Sequence, residues 1–149
     1  MEEPIQKIVA AIDFSNTTPK IIQLLLRFHA TFDAQFFLVH VITDQVIQHL
    51  GQSFATREKA IEFAMEETLP LWEKVKRELS QTCFEVFTLP GIPHKVILEV
   101  AEQKGADLIV VGNHPPSRLQ EIFIGSTARN LLINTSLPVL FVTPSTGKQ

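Results

Sequence analysis

Apolar residues in this chain come as short continuous runs separated by longer stretches of helical period. Lys7-Ile-Val-Ala-Ala-Ile12 is such a run, stopping at Asp13, and it predicts a buried strand with a carboxylate at its carboxyl end. Ser15-Asn16-Thr17-Thr18-Pro19 then offers cap residues, with proline near the first helical turn. Ile21, Leu24, Leu25, Phe28 and Phe32 follow on one helical stripe. Phe36 to Val41 is a second apolar run and strand, and residues 42–53 read as an irregular connection.

Residues 54–80 place Ala60, Ile61, Ala64, Met65, Leu69, Trp72, Val75 and Leu79 on one side and Glu and Lys on the other. This is a long amphipathic helix, which Pro70 should kink or restart, since an interior proline costs about 3 kcal/mol. Cys83 to Phe87 alternates and predicts a third strand nearer a sheet edge, with Cys83 as a buried small hydrophobe. Gly91-Ile92-Pro93 opens a helix through Val96, Ile97, Val100 and Ala101, stopped at Lys104-Gly105. Strand four is expected over 107–111, a last helix over 119–134, and strand five over 138–143.

Strands alternating with helices predict an α/β fold: one doubly wound parallel sheet of five strands with helices on both faces, in a single domain over residues 1–149. In such sheets a ligand sits beyond the carboxyl ends of the strands, where the winding reverses. If strands one and four flank that reversal, Asp13 and Gly112 face the same crevice.

The composition narrows the function. Net charge is −3, so no positive field draws in nucleic acid or anionic lipid. The apolar runs fall short of the roughly 20 residues that span a bilayer, and the acidic start Met1-Glu2-Glu3-Pro4 is unlike a signal peptide. A cytoplasmic protein is expected. Cys83 is alone, so neither a disulfide nor a cysteine metal site is expected, and His29, His40, His49, His94 and His114 show no metal spacing.

Two segments carry candidate chemistry. Asp107-Leu-Ile-Val-Val-Gly112 reads as a strand leaving its sheet at a glycine, and Gly125-Ser126-Thr127 reads as a helix start with hydroxyl caps. Together they offer backbone N–H groups, two hydroxyls and a helix dipole around one point, which suits a phosphate. Each has a plainer reading too. Gly112 serves as a strand-end turn, Gly125 to Thr127 as an ordinary helix start, and Asp13 as a cap on the turn through Ser15 and Asn16. His40 reads as a core or crevice histidine with a hydrogen-bond partner. A Ser15, His40, Asp13 triad can be assembled, but no nucleophile elbow supports it. Arg118 and Arg129 flank the Gly125 region.

The opening strand ending in Asp13, the Gly91-Ile92-Pro93 helix entry, Gly105 to Gly112, Gly125-Ser126 and the closing Leu137-Pro138-Val139-Leu140-Phe141-Val142 resemble, in combination and order, the universal stress protein (UspA-like) family. The resemblance covers nearly the whole chain. It implies sheet order 3-2-1-4-5, a homodimer paired through the last strand (Pro138 to Val142), and a stress-linked role in binding and signalling more than in catalysis. At most, weak ATP hydrolysis is expected, with no catalytic residue assigned.

Members of the family that bind ATP carry a glycine signature, whose spacing here falls on Gly112, Pro115, Gly125 and Ser126. By the same resemblance Ala11, Asp13 and Val41 would meet the adenine and ribose of ATP or AMP. Gly112, Gly125, Ser126 and Thr127 would meet ribose and phosphates. Pro115 departs from the signature. Glycine in a phosphate loop supplies an N–H and access to positive φ, and proline supplies neither. Losing one charge-assisted hydrogen bond weakens binding by roughly tenfold to a hundredfold. Two readings therefore stand: a nucleotide-binding regulator, and a dimeric protein-interaction module whose crevice is vestigial.

Overall fold

The computed structural model describes residues 3–113 and 124–144. In chain order the elements are β1 (Lys7–Ala11), α1 (Thr18–Phe32), β2 (Gln35–Ile42), α2 (Asp44–Gly51), α3 (Arg57–Glu78), β3 (Cys83–Pro90), α4 (Pro93–Lys104), β4 (Leu108–Gly112), α5 (Ser126–Asn134) and β5 (Val139–Val142). The strands form one sheet in the order β3-β2-β1-β4-β5, and every pairing is parallel. β1 therefore lies between β2 and β4, and the winding reverses between β1 and β4. This is the doubly wound arrangement read from the sequence, in the strand order that the family resemblance implied.

The pleat sends alternate residues of each strand to opposite faces. On one face Ile8, Ala10, Phe36, Leu38 and Val110 pack against Ile21 and Leu25 of α1 and Trp72 and Val75 of α3. On the other, Val9, Phe37, Val39, Ile109 and Val111 pack against Val96, Ile97 and Val100 of α4 and Leu131 of α5. Burial on both sides explains why β1, β2 and β4 are almost continuously apolar.

Three expectations are corrected. Residues 42–53 are not an irregular connection, because α2 runs through them. The Thr43 hydroxyl accepts the Val46 N–H at 3.4 Å and caps this helix, while Ile47 is buried against Ala60 and Ala64 of α3. Pro70 does not restart α3, which continues through it as one helix to Glu78. Proline cannot donate to the Glu66 carbonyl, but Glu66 and Pro70 both lie on the exposed side, where water can meet that carbonyl. On the buried side, the Thr68 hydroxyl donates to the Met65 carbonyl at 2.6 Å. Cys83 is exposed, because it opens β3, an edge strand with only one neighbour.

Helix α4 ends as predicted, with Gly105 in the left-handed region at φ 64°. The last helix is shorter than expected. It begins at Ser126, and Gly125 is its extended N-cap. Residues 119–123, assigned to this helix from sequence, lie outside the described residues, as do His114, Pro115 and Arg118.

Candidate functional site

The carboxyl ends of β1, β2 and β4 and the first turn of α5 enclose a cleft of about 280 Å³, near the low end of the roughly 300–1,000 Å³ typical of ligand sites. Ala11, Asp13, Val41, Gly112, Gly125, Ser126 and Thr127 all line it. The structure thus gathers every candidate site residue from the sequence except Pro115, which lies outside the described residues. Arg129 is exposed and does not line the cleft. The walls are mostly apolar, with Val39, Ile97 and Val111 adding to Ala11 and Val41. The polar groups collect at the β1 end and at the start of α5.

Asp13 adopts the capping role. Its Oδ1 accepts the Ser15 N–H at 3.0 Å and the Ser15 hydroxyl at 2.6 Å. The Ser15 and Thr17 hydroxyls are then 3.0 Å apart, and Thr17 is fully buried at the N-terminus of α1. His40 places Nδ1 2.8 Å from the Ile12 carbonyl. A carbonyl can only accept, so His40 Nδ1 carries a hydrogen and donates this bond. Ser15 donates to Asp13 itself and His40 is committed to Ile12, so these bonds do not form a Ser-His-Asp relay.

Gly112 has a packing reason. A Cβ built there would lie 2.6 Å from Thr17 Oγ1 and 3.2 Å from Thr17 Cβ, so only glycine lets β4 pass the buried end of α1. Gly125 differs. Its φ of −62° and ψ of 161° suit any residue, and a Cβ would meet Asn113 Oδ1 only at 3.5 Å, an ordinary contact. Among the described residues, nothing in the fold requires glycine at 125, and the space it leaves opens on the cleft.

The first turn of α5 departs from the hydroxyl-capped start expected of it: no side chain caps the helix, and Ser126 and Thr127 lie inside it. Their amides, with that of Ala128, belong to the first helical turn, which has no intrahelical acceptors. The positive end of the helix dipole adds to them. The Gly125 N–H, however, is already bound, donating to Asn113 Oδ1 at 3.0 Å. Asn113 was not singled out from sequence. No local signal marks it, because its partner lies 12 positions along the chain.

Among the described residues no group of three or more His, Cys, Asp or Glu could hold a metal ion, and no helix is long and apolar enough to cross a membrane.

Fold and cleft together define an α/β protein with a crevice at the topological switch point, where such folds place ligands, its polar end set at a helix N-terminus. The chain belongs to the universal stress protein family, whose family model matches residues 4–143. Universal stress protein MJ0577 of Methanocaldococcus jannaschii is 30% identical over an alignment of 152 residues, spanning 92% of this chain and 94% of that one. The solved structure of hypothetical protein MJ0577 superimposes with a TM-score of 0.81 at 28% identity, covering 96% and 99% of the two chains. More distant neighbours share the fold. A universal stress protein in complex with cAMP has a TM-score of 0.66 at 19% identity, covering 96% of this chain and all (100%) of that one. One from Archaeoglobus fulgidus in complex with dAMP has a TM-score of 0.59 at 21% identity, covering 93% and 98%.

Proposed function

We propose that this protein is a stress-response regulator that binds an adenine nucleotide, ATP or AMP, in the cleft at the carboxyl ends of β1 and β4. The observation that carries the reading is the convergence of Asp13, Gly112 and the first turn of α5 on one apolar-walled crevice. Ala11 and Val41 would hold the base, Asp13 the ribose, and Gly112, Ser126 and Thr127 the phosphates. The unexplained glycine at 125 supports close approach of a ligand to the backbone, and the cAMP and dAMP complexes of family members support the ligand class. No catalytic step is assigned, and at most weak ATP hydrolysis is expected. A homodimer joined through β5 and a cytoplasmic location complete the reading; β5 is an edge strand and leaves Leu140 37% exposed.

Titration calorimetry with ATP and with AMP, each with and without Mg²⁺, tests this directly. Saturable heat with either nucleotide supports the proposal, and no heat at high micromolar protein overturns it. Replacing Pro115→Gly should strengthen any binding, by restoring an amide to the signature loop.

A second reading is a protein-interaction module with a vestigial crevice. Two observations favour it: the Gly125 N–H is already taken by Asn113, and proline stands at position 115. Partner capture that is indifferent to nucleotide and to Asp13→Ala would select this reading.

A further inference from the structure

A smaller pocket, of about 190 Å³, lies between the start of α1 and the later turns of α3. It shares no lining residue with the cleft. Phe14, Ile22, Pro70, Leu71 and Val75 give it an apolar lining. Ile22 and Val75 are buried, whereas Leu71 is 47% exposed and stands at the mouth.

Its polar groups are few, and none of three is answered by the fold. Thr18, in the first turn of α1, lines the pocket and is only 7% exposed. Its Oγ1 is buried without a hydrogen-bond partner, a costly state for a hydroxyl. Thr68 and Thr82 avoid that cost by donating to the carbonyl three residues back. For Thr18 the equivalent carbonyl is that of Ser15, which takes the Thr18 N–H instead, at 3.1 Å. From α3, Lys74 and Glu78 line the same pocket, both exposed. Residues four apart on a helix commonly pair, yet neither has an ion-pair partner among the described residues.

We propose that this pocket binds a small apolar α-amino acid. The apolar lining sets the side chain. The Thr18 hydroxyl takes the carboxylate, with Lys74 beside it, and Glu78 takes the ammonium. The Thr18 end is also the N-terminus of α1, whose first turn holds no acidic residue, so the helix dipole favours an anion there. A simple carboxylate would leave Glu78 opposing it, and a simple amine would leave Lys74 and the dipole opposing it. A group that carries both charges meets all three polar side chains. The volume, below the roughly 300 Å³ at which ordinary ligand sites begin, suits one amino acid and excludes a nucleotide. The occupant would rest against the wall of the cleft. Ser15 lines the pocket and Asp13 the cleft, and the Ser15 hydroxyl joins them at 2.6 Å. The Phe14 ring stands 4.8 Å from His40, which lines the cleft. The proposal is independent of what the cleft binds.

The test titrates the full chain with L-leucine and follows the backbone amides of Thr18 and Lys74 and the Trp72 indole N–H by two-dimensional NMR. Isocaproate, which lacks the amino group, and isopentylamine, which lacks the carboxylate, serve as comparisons. Leucine should bind more tightly than either. Thr18→Val keeps the side-chain shape and removes a hydroxyl that has no partner, so it should fold at least as well as the parent. It should weaken leucine binding about tenfold, the effect of one hydrogen bond to a charged group. Lys74→Gln should weaken it about threefold, as for an exposed ion pair. Lys95→Gln, on the exposed side of α4, should change it less than about twofold. The proposal is overturned if millimolar leucine moves none of these resonances, or if either truncated analogue binds as well as leucine. It is overturned too if Thr18→Val binds leucine like the parent, which would mean that water alone meets the hydroxyl, or if the two lysine variants cost the same.

Discussion

Asn113 and Gly125 are joined directly, the side-chain Oδ1 of one accepting the backbone N–H of the other at 3.0 Å. The bond spans 12 positions of sequence and holds the end of β4 to the start of α5. Both residues line the cleft at its polar end. The bond also removes one amide from those that an anion could use, leaving the work to the later amides and hydroxyls of the first turn.

Asn113→Ala should lower stability by about 1 kcal/mol, the usual net value of a partly buried hydrogen bond. Urea unfolding measures it, and an unchanged midpoint would mean that the contact does not hold the two segments together.

Gly112→Ala should cost about 1–3 kcal/mol, because the new methyl group meets the buried Thr17 side chain. The clash is specific, so the double variant with Thr17→Ala should lose less than the sum of the two single changes. Strict additivity in thermal or denaturant unfolding would assign the cost of Gly112→Ala to something else.

Gly125→Ala should leave stability within about 0.5 kcal/mol of the parent, since its backbone and surroundings accept a methyl group. Nucleotide affinity should nonetheless fall about tenfold, the effect of displacing one charge-assisted hydrogen bond. Calorimetry beside an unfolding curve separates the two quantities. Equal affinity in parent and variant would show that position 125 lies away from the ligand.

Phe14 is a non-glycine residue at φ 60°, where an L side chain costs roughly 1–2 kcal/mol. Its ring compensates by packing 4.8 Å from His40 and 4.9 Å from Trp72. Phe14→Gly should therefore be more stable than Phe14→Ala, by up to about 1 kcal/mol, reversing the ranking usual within regular elements. Differential scanning calorimetry of the pair decides it, and the ordinary ranking would mean that the backbone relaxes once the ring is gone.

The sheet was legible in the sequence because burial on both faces makes its inner strands continuous apolar runs, and parallel order follows from the helices between them. Asp13 and Gly112 could be assigned to one crevice only on the supposition that β1 and β4 are neighbours, which the register Ile8 to Leu108 bears out. Short-range cues were harder. Helix α2 is brief, and its signal is a Thr43 cap with Val46, Ile47 and Leu50 at helical spacing, easily lost between two long elements. A restart at Pro70 was the wrong alternative because proline's cost depends on which side of the helix it occupies, and only the fold sets that side. Asn113 escaped because its partner lies far along the chain, where no local pattern points.

The contact of Phe14 with both His40 and Trp72 has a practical outcome. Trp72 is the single tryptophan of the chain, it is buried, and its Nε1–H donates to Thr88 Oγ1 at 2.8 Å. One aromatic ring therefore separates the protein's only strong natural fluorophore from the cleft wall, and one hydrogen bond ties it to the edge strand β3. The molecule carries its own optical probe, placed to report on changes at the cleft without a label.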